Sequence, residues 1–100
     1  MAEPKISIPS ERIAEFCVRH RVRRLALFGS VLREDFGAES DVDVLIEFEP
    51  GVRIGWDFFL LQEELSGILG RKVDLNTRGF LREQVLDEAL RDAVDVYVAA

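Results

Sequence analysis

The sequence predicts an α/β (α+β) fold, a mixed sheet covered by helices, on three observations. Short runs that are continuously apolar or alternate apolar with polar fall at residues 25–28, 42–49, 72–77 and 94–99, and read as strands. Stretches with apolar residues at helical spacing fall at 10–21, 54–69 and 82–93. No repeat, low-complexity tract or linker interrupts this alternation, so the elements assign to one sheet and its covering helices.

Residues 1–8 read as a short N-terminal arm. Pro9-Ser10 leads into the first helix, with Ser10 as N-cap and Glu11 in the first turn. Ile13, Phe16, Cys17 and His20 follow the i, i+3, i+4, i+7 rule of a buried stripe, and the helix should end near Arg21. His20, the only histidine, sits beside Arg19, Arg21, Arg23 and Arg24. It reads as a general base or an RNA-contacting patch, or as a solvated basic helix end that suits the helix dipole. The second reading is preferred, because no other basic stretch extends the patch.

Residues 25–28, closed by Gly29, suit a central strand buried on both faces, which delivers Gly29 and Ser30 to the end of the sheet. Residues 31–35 read as a short helix with Ser30 at its N-terminus, and 36–40 as a loop around Gly37. Residues 42–49 form a second strand, ended by Pro50-Gly51. In the helix at 54–69, Ile54, Phe58, Leu61, Leu65 and Ile68 share one stripe and Gly70 is the C-cap. Trp56 and Phe59 lie off that stripe; they widen the core or, if exposed, mark a partner surface. In the third strand Val73 and Leu75 point inward and Asp74 outward. Leu81, Val85, Leu86, Ala89, Leu90 and Ala93 are the apolar set of the last helix, and residues 94–99 an edge strand.

The chain has 100 residues, 48% of them hydrophobic, enough for one core and one domain over 1–100 and too few for a second, substrate-binding domain. A formal charge of −6 argues against direct nucleic-acid binding. The single cysteine, Cys17, precludes an intrachain disulfide and suits a buried position in a protein of the reducing cytoplasm. No apolar run approaches the roughly 18 residues that span a bilayer, and no secretory signal is visible, so no membrane association is expected.

The chemistry concentrates in residues 29–49. Residues two apart on a strand point to one face, roughly 6.6 to 6.8 Å apart, so Asp41 and Asp43 project together. Two carboxylates with open water positions suit Mg²⁺ held jointly with substrate phosphates. A Gly-Ser turn opening a helix supplies backbone N–H groups to those phosphates. Together they make half of a phosphoryl-transfer site.

The order of an apolar strand, Gly29-Ser30, ten intervening residues, Asp41-Val42-Asp43 opening a strand, and Asp74 within KVDLNT resembles the minimal (MNT-type) nucleotidyltransferases of the superfamily that includes DNA polymerase beta. The likeness covers nearly the whole chain. It implies a single-domain nucleotidyltransferase fold with Asp41, Asp43 and Asp74 as catalytic and metal-binding residues, two Mg²⁺ when substrate is bound, and ATP as substrate. Asp74 would bind metal or act as base on the acceptor. Gly29, Ser30, Arg33 and Ser40 would contact the nucleotide. Where many relatives carry Gly-Ser-Arg-Ala-Arg-Gly, this chain has Val31, Leu32, Arg33 and Glu34, keeping the arginine and losing the final glycine. The resemblance further implies an antitoxin that transfers AMP to a tyrosine of a HEPN-domain toxin, in a hetero-oligomer with that toxin or as a homo-oligomer. Two other readings compete: a catalytically silent module that masks the toxin by contact, and a small-molecule adenylyltransferase. Three aspartates gathered without cations repel one another, so the metal-free site should be loose.

Overall fold

A computed structural model describes residues 6–33, 36–37 and 39–99, with Phe80 through its backbone alone. Residues 1–5 of the expected arm, Glu34 and Asp35 of the expected short helix, and Ala38 of the loop lie outside these. The element order is α1 (Ser10–Arg19), β1 (Val22–Phe28), β2 (Val42–Phe48), α2 (Asp57–Leu69), β3 (Val73–Asn76), α3 (Glu83–Asp92) and β4 (Val94–Val98). Single 3₁₀ turns follow β1, at Gly29–Leu32, and β3, at Arg78–Phe80.

The sheet runs β3-β2-β1-β4. β1 is antiparallel to both β2 and β4, while β2 and β3 are parallel, so the sheet is mixed as expected. A parallel pair needs a crossover, and α2 supplies it. Because strand side chains alternate, Val42, Val44 and Ile46 face one way and join Leu25, Leu27, Val73 and Leu75 in the main core. Ile13, Phe16 and Cys17 of α1 and Leu61 and Leu65 of α2 close over that face. Burial pushes the Cys17 thiol up to about 12, so it packs as a small hydrophobe. Ile6 and Ile8 also pack against this core, so that end of the arm is part of the fold. On the opposite face Phe28 and Leu45 meet Ala89 of α3, with Leu81, Leu90 and Ala93 around them.

Several boundaries differ from expectation. Ser10 is the first helical residue rather than the cap: Ile13 donates to the Pro9 carbonyl, and no side chain caps this end. α1 stops at Arg19, and Arg21 turns the chain at φ 59, so that Val22 enters the core and starts β1 three residues early. Arg23 and Arg24 are therefore strand residues, not a helix end. Their guanidinium groups, with that of Arg78, meet Glu47, and Arg24 also reaches Asp95 at 2.6 Å. Arg19 and His20 both engage Glu64 of α2, and His20 packs on Phe16. Arg19, His20, Arg23 and Arg24 of the basic cluster thus each face a carboxylate within the fold. α2 starts at Asp57, after Gly55, a poor helix former, and ends on Gly70 in the left-handed conformation (φ 68). Among the described residues no helix is long and apolar enough to cross a membrane.

β3 is an edge strand, and α2 blunts its free side. The Val73 N–H donates to Ser66 Oγ at 3.0 Å and the Leu75 N–H to Gln62 Oε1 at 2.9 Å, while the Ser66 hydroxyl donates to the Gln62 carbonyl. Donors that would template another strand are satisfied within the chain. Gln62→Ala leaves the Leu75 N–H beneath a buried side chain without its acceptor, and should cost about 1–3 kcal/mol in urea unfolding. Glu63→Ala, on the exposed side of the same helix, should stay within about 0.5 kcal/mol.

Candidate active site

The sheet register builds the site. Phe28, the last residue of β1, pairs with Asp43, and Asp43 pairs with Asp74 on the other side. The chain leaves β1 level with both acids and turns through Gly29 at φ 75, a left-handed conformation that favours glycine. A Cβ at Gly29 would lie 2.3 Å from Asp43 Oδ2, so the absence of a side chain is what admits the carboxylate. That carboxylate accepts the Ser30 backbone N–H. The Ser30 hydroxyl reaches the Asp41 carbonyl at 3.5 Å, and the Arg33 N–H closes the turn on the Ser30 carbonyl at 2.9 Å.

Asp43 is half-buried, and its pKa is raised from 3.8 to about 6. Burial is the largest cause, followed by the charges of Asp74 and then Asp41; Arg33 and the Ser30 N–H oppose it. Asp74 is exposed on β3. Asp41 lies one residue before β2, its carboxylate 4.0 Å from Lys72 Nζ in a solvated pair worth little. As they stand, no three acidic, histidine or cysteine side chains among the described residues are gathered closely enough to hold a metal ion. Asp43 is tied back to the turn, and Asp41 leans toward Lys72. The donor set is nevertheless all carboxylate, the kind a hard divalent cation takes, and the repulsion that raises Asp43 is what such a cation would relieve.

Of the residues singled out from the sequence, Gly29, Arg33 and Asp43 line one cleft of about 590 Å³, with Ser30 beside them. Asp74 stands in register with Asp43 but outside that lining. Ser40 and Asp41 line a separate depression with Arg71 and Lys72, and the Ser40 hydroxyl accepts the Gly37 N–H at 3.1 Å. Sequence reasoning missed the far wall of the cleft, which α3 supplies through Val85, Glu88 and Arg91. No sequence signal marked it: Val85 fits the apolar set of the last helix, and only the structure shows it 44% exposed. It also missed Arg71, whose guanidinium donates to the Gly37 carbonyl at 2.7 Å and stacks 4.5 Å from the Phe36 ring.

The raised Asp43 pKa carries a stability cost with a definite pH window. The native carboxyl holds its proton more tightly than the unfolded one, so the penalty is absent below 3.8 and fully present above about 6. Discounted for the solvent reaching this half-exposed group, it is on the order of 1 kcal/mol. Asp43→Asn should raise metal-free stability by about that amount at pH 7 and leave it unchanged near pH 3.5, as read by urea unfolding at both pH values.

Comparison with known proteins agrees with this fold. The family described as "Nucleotidyltransferase domain" matches residues 10–97. The chain is 34% identical to the protein adenylyltransferase MntA of Thermococcus cleftensis over 90 residues, 90% of each protein. It superposes with a TM-score of 0.70 on a solved minimal nucleotidyltransferase, at 35% identity, covering 85% of this chain and 86% of the other. A more distant likeness, at 15% identity and TM-score 0.65, is to a complex of a tri-AMPylated HEPN toxin of Shewanella oneidensis with its MNT antitoxin, covering 90% of this chain and 70% of that one; it bears on fold alone. With a Gly-Ser turn seated on the first acid of the central strand pair and the match running through every element of the sheet, the chain belongs to the nucleotidyltransferase domain family.

Proposed function

We propose that this protein transfers AMP from ATP to a tyrosine hydroxyl of a partner HEPN toxin in the cytoplasm, acting as the antitoxin of a toxin–antitoxin pair. The observation that carries the reading is the Asp43 carboxylate lodged against Gly29, with Asp74 in register beside it. Protein adenylyltransferase activity in a relative at 34% identity, and the antitoxin role of a more distant one of the same fold, support it.

The chain's residues take complementary parts. The Gly29–Ser30 turn would bring the triphosphate against bare backbone and the Ser30 hydroxyl, its Ser30 N–H being held by Asp43, and Arg33 adds a positive charge at the same end of the cleft. Asp41 and Asp43 would hold Mg²⁺, whose chemistry is to neutralise the phosphates and stabilise the attacking and leaving oxygens. Asp74, exposed and next to Asp43, takes the proton from the tyrosine hydroxyl as its oxygen attacks the α-phosphorus. An O–P bond to tyrosine forms, the α–β phosphoanhydride bond breaks, and pyrophosphate leaves with its electron pair.

One observation favours a second reading, masking by contact alone. Trp56, Phe59 and Leu60 at the start of α2 are 90%, 64% and 63% exposed, an apolar surface available to a partner. Asp74→Asn separates the two readings. As an enzyme, the variant should bind Mg-ATP about as well as the parent, transfer AMP at least about 100-fold more slowly, and fail to protect cells expressing the toxin. Mass spectrometry of the toxin checks this; protection by the variant with an unmodified toxin would establish the mask and remove the catalytic role.

A further inference from the structure

The loop at residues 33–41, which carries the chain from the Gly29–Leu32 turn to Asp41, is gripped from outside by Arg71. The Arg71 guanidinium donates to the Gly37 carbonyl at 2.7 Å and lies 4.5 Å from the centre of the Phe36 ring. Phe36 packs in turn against the main core, so its ring is held between the core and the arginine. The same Gly37 carbonyl accepts the Ser40 N–H at 3.1 Å, and the Ser40 hydroxyl accepts the Gly37 N–H at 3.1 Å, which closes a small turn directly ahead of Asp41. Arg71 itself stands on a fixed footing. Gly70, left-handed at φ 68, ends α2; the N–H groups of Gly70 and Arg71 both donate to the Ser66 carbonyl, and Ser66 Oγ accepts from Val73 at the start of β3.

That footing is level with the proposed cation ligands. The Val42 N–H donates to the Lys72 carbonyl at 2.9 Å and Val42 pairs with Val73, so the turn at 70–72 faces Ser40 and Asp41 across the depression that these residues line. Asp41 precedes β2 rather than belonging to it, and the loop before it decides where its backbone sits. A carboxylate that must meet a cation jointly with Asp43 binds it more tightly when its backbone is fixed beforehand, because less ordering has to accompany binding. We infer that Arg71 is a positioning residue of the site: by holding Gly37 and Phe36 it fixes the turn that presents Asp41 beside Asp43. This rests on the reading of Asp41 and Asp43 as cation ligands, and it adds the junction of α2 and β3 as the part of the fold that keeps the first of them in place. Charge alone predicts the opposite sign. Arg71 is a cation lining the same depression as Asp41, so its removal would favour a second cation there, whereas loss of the clamp disfavours it.

Mn²⁺ alone, a spectroscopic stand-in for Mg²⁺ titrated by electron paramagnetic resonance of the free ion, tests this with no nucleotide and no transfer step. Arg71→Ala should bind Mn²⁺ about three- to tenfold more weakly than the parent, with its circular dichroism unchanged, and should exchange the Ser40 amide hydrogen faster. Arg71→Lys, which keeps the charge and a donor for the Gly37 carbonyl, should recover most of the affinity. Lys72→Ala removes the cation 4.0 Å from Asp41 and leaves the clamp in place, so it should bind Mn²⁺ at least as tightly as the parent. If Arg71→Ala also binds Mn²⁺ at least as tightly as the parent, Arg71 acts only through its charge and the positioning role is wrong, while the cation reading stands. If the parent binds no Mn²⁺, the cation reading falls and the positioning role with it.

Discussion

The close approach of Asp43 to Gly29 is the constraint on which the site depends. A carboxylate half out of solvent, flanked by two others, would normally be driven into water. Here it stays because the position of the Gly29 Cβ is empty and the Ser30 N–H donates to it. The contact also fixes where β1 ends relative to β2, since Phe28 pairs with Asp43 and the turn follows at once. Register in turn brings Asp74 alongside. One residue without a side chain thus couples the turn that would meet phosphates to the acids that would meet cations.

Charge is sorted along the same sheet face. On β2, Asp43 and Glu47 point the same way, separated by the buried Leu45. Glu47 is enclosed by Arg23, Arg24 and Arg78 and is structural. Asp43 has only Arg33 and a backbone donor to oppose its neighbours, and its pKa rises. Two acids on one strand, four residues apart, therefore differ in what surrounds them. The satisfied one holds the sheet together, and the under-compensated one is the candidate for chemistry.

Much of this was legible in the sequence. Apolar alternation located all four strands, and Gly70 marked the end of α2 because only a residue tolerant of positive φ closes it cleanly. Gly29-Ser30 and Asp43 were legible because a turn glycine and an acid opening a strand are local patterns. Asp74 on a later strand followed from the strand pattern and the resemblance together, whereas its register with Asp43 is set by the β2–β3 pairing. What was not legible depends on long-range partners. Arg23 and Arg24 look like a helix end until Glu47 and Asp95 arrive from other strands. Ser40 reads as part of the nucleotide site, yet its hydroxyl closes a turn on Gly37 and faces a different depression. The cleft wall on α3 was hidden because Val85 and Ala89 fit a core stripe equally well, and only the packing shows that Val85 is left uncovered. Trp56 and Phe59 did stand out as off-stripe, and both are exposed.

The central claim is that the empty Cβ position at Gly29 holds the acids and the turn proposed to meet phosphate in one geometry. Gly29→Ala is the most direct probe, since it adds one methyl group where Asp43 Oδ2 now lies, at a backbone angle that alanine rarely adopts. Mg-ATP binding by this variant, measured by calorimetry with circular dichroism as a check on folding, should fall by at least about tenfold, or about 1.4 kcal/mol, with the secondary structure retained. A folded Gly29→Ala protein that binds Mg-ATP within about twofold of the parent would contradict the account.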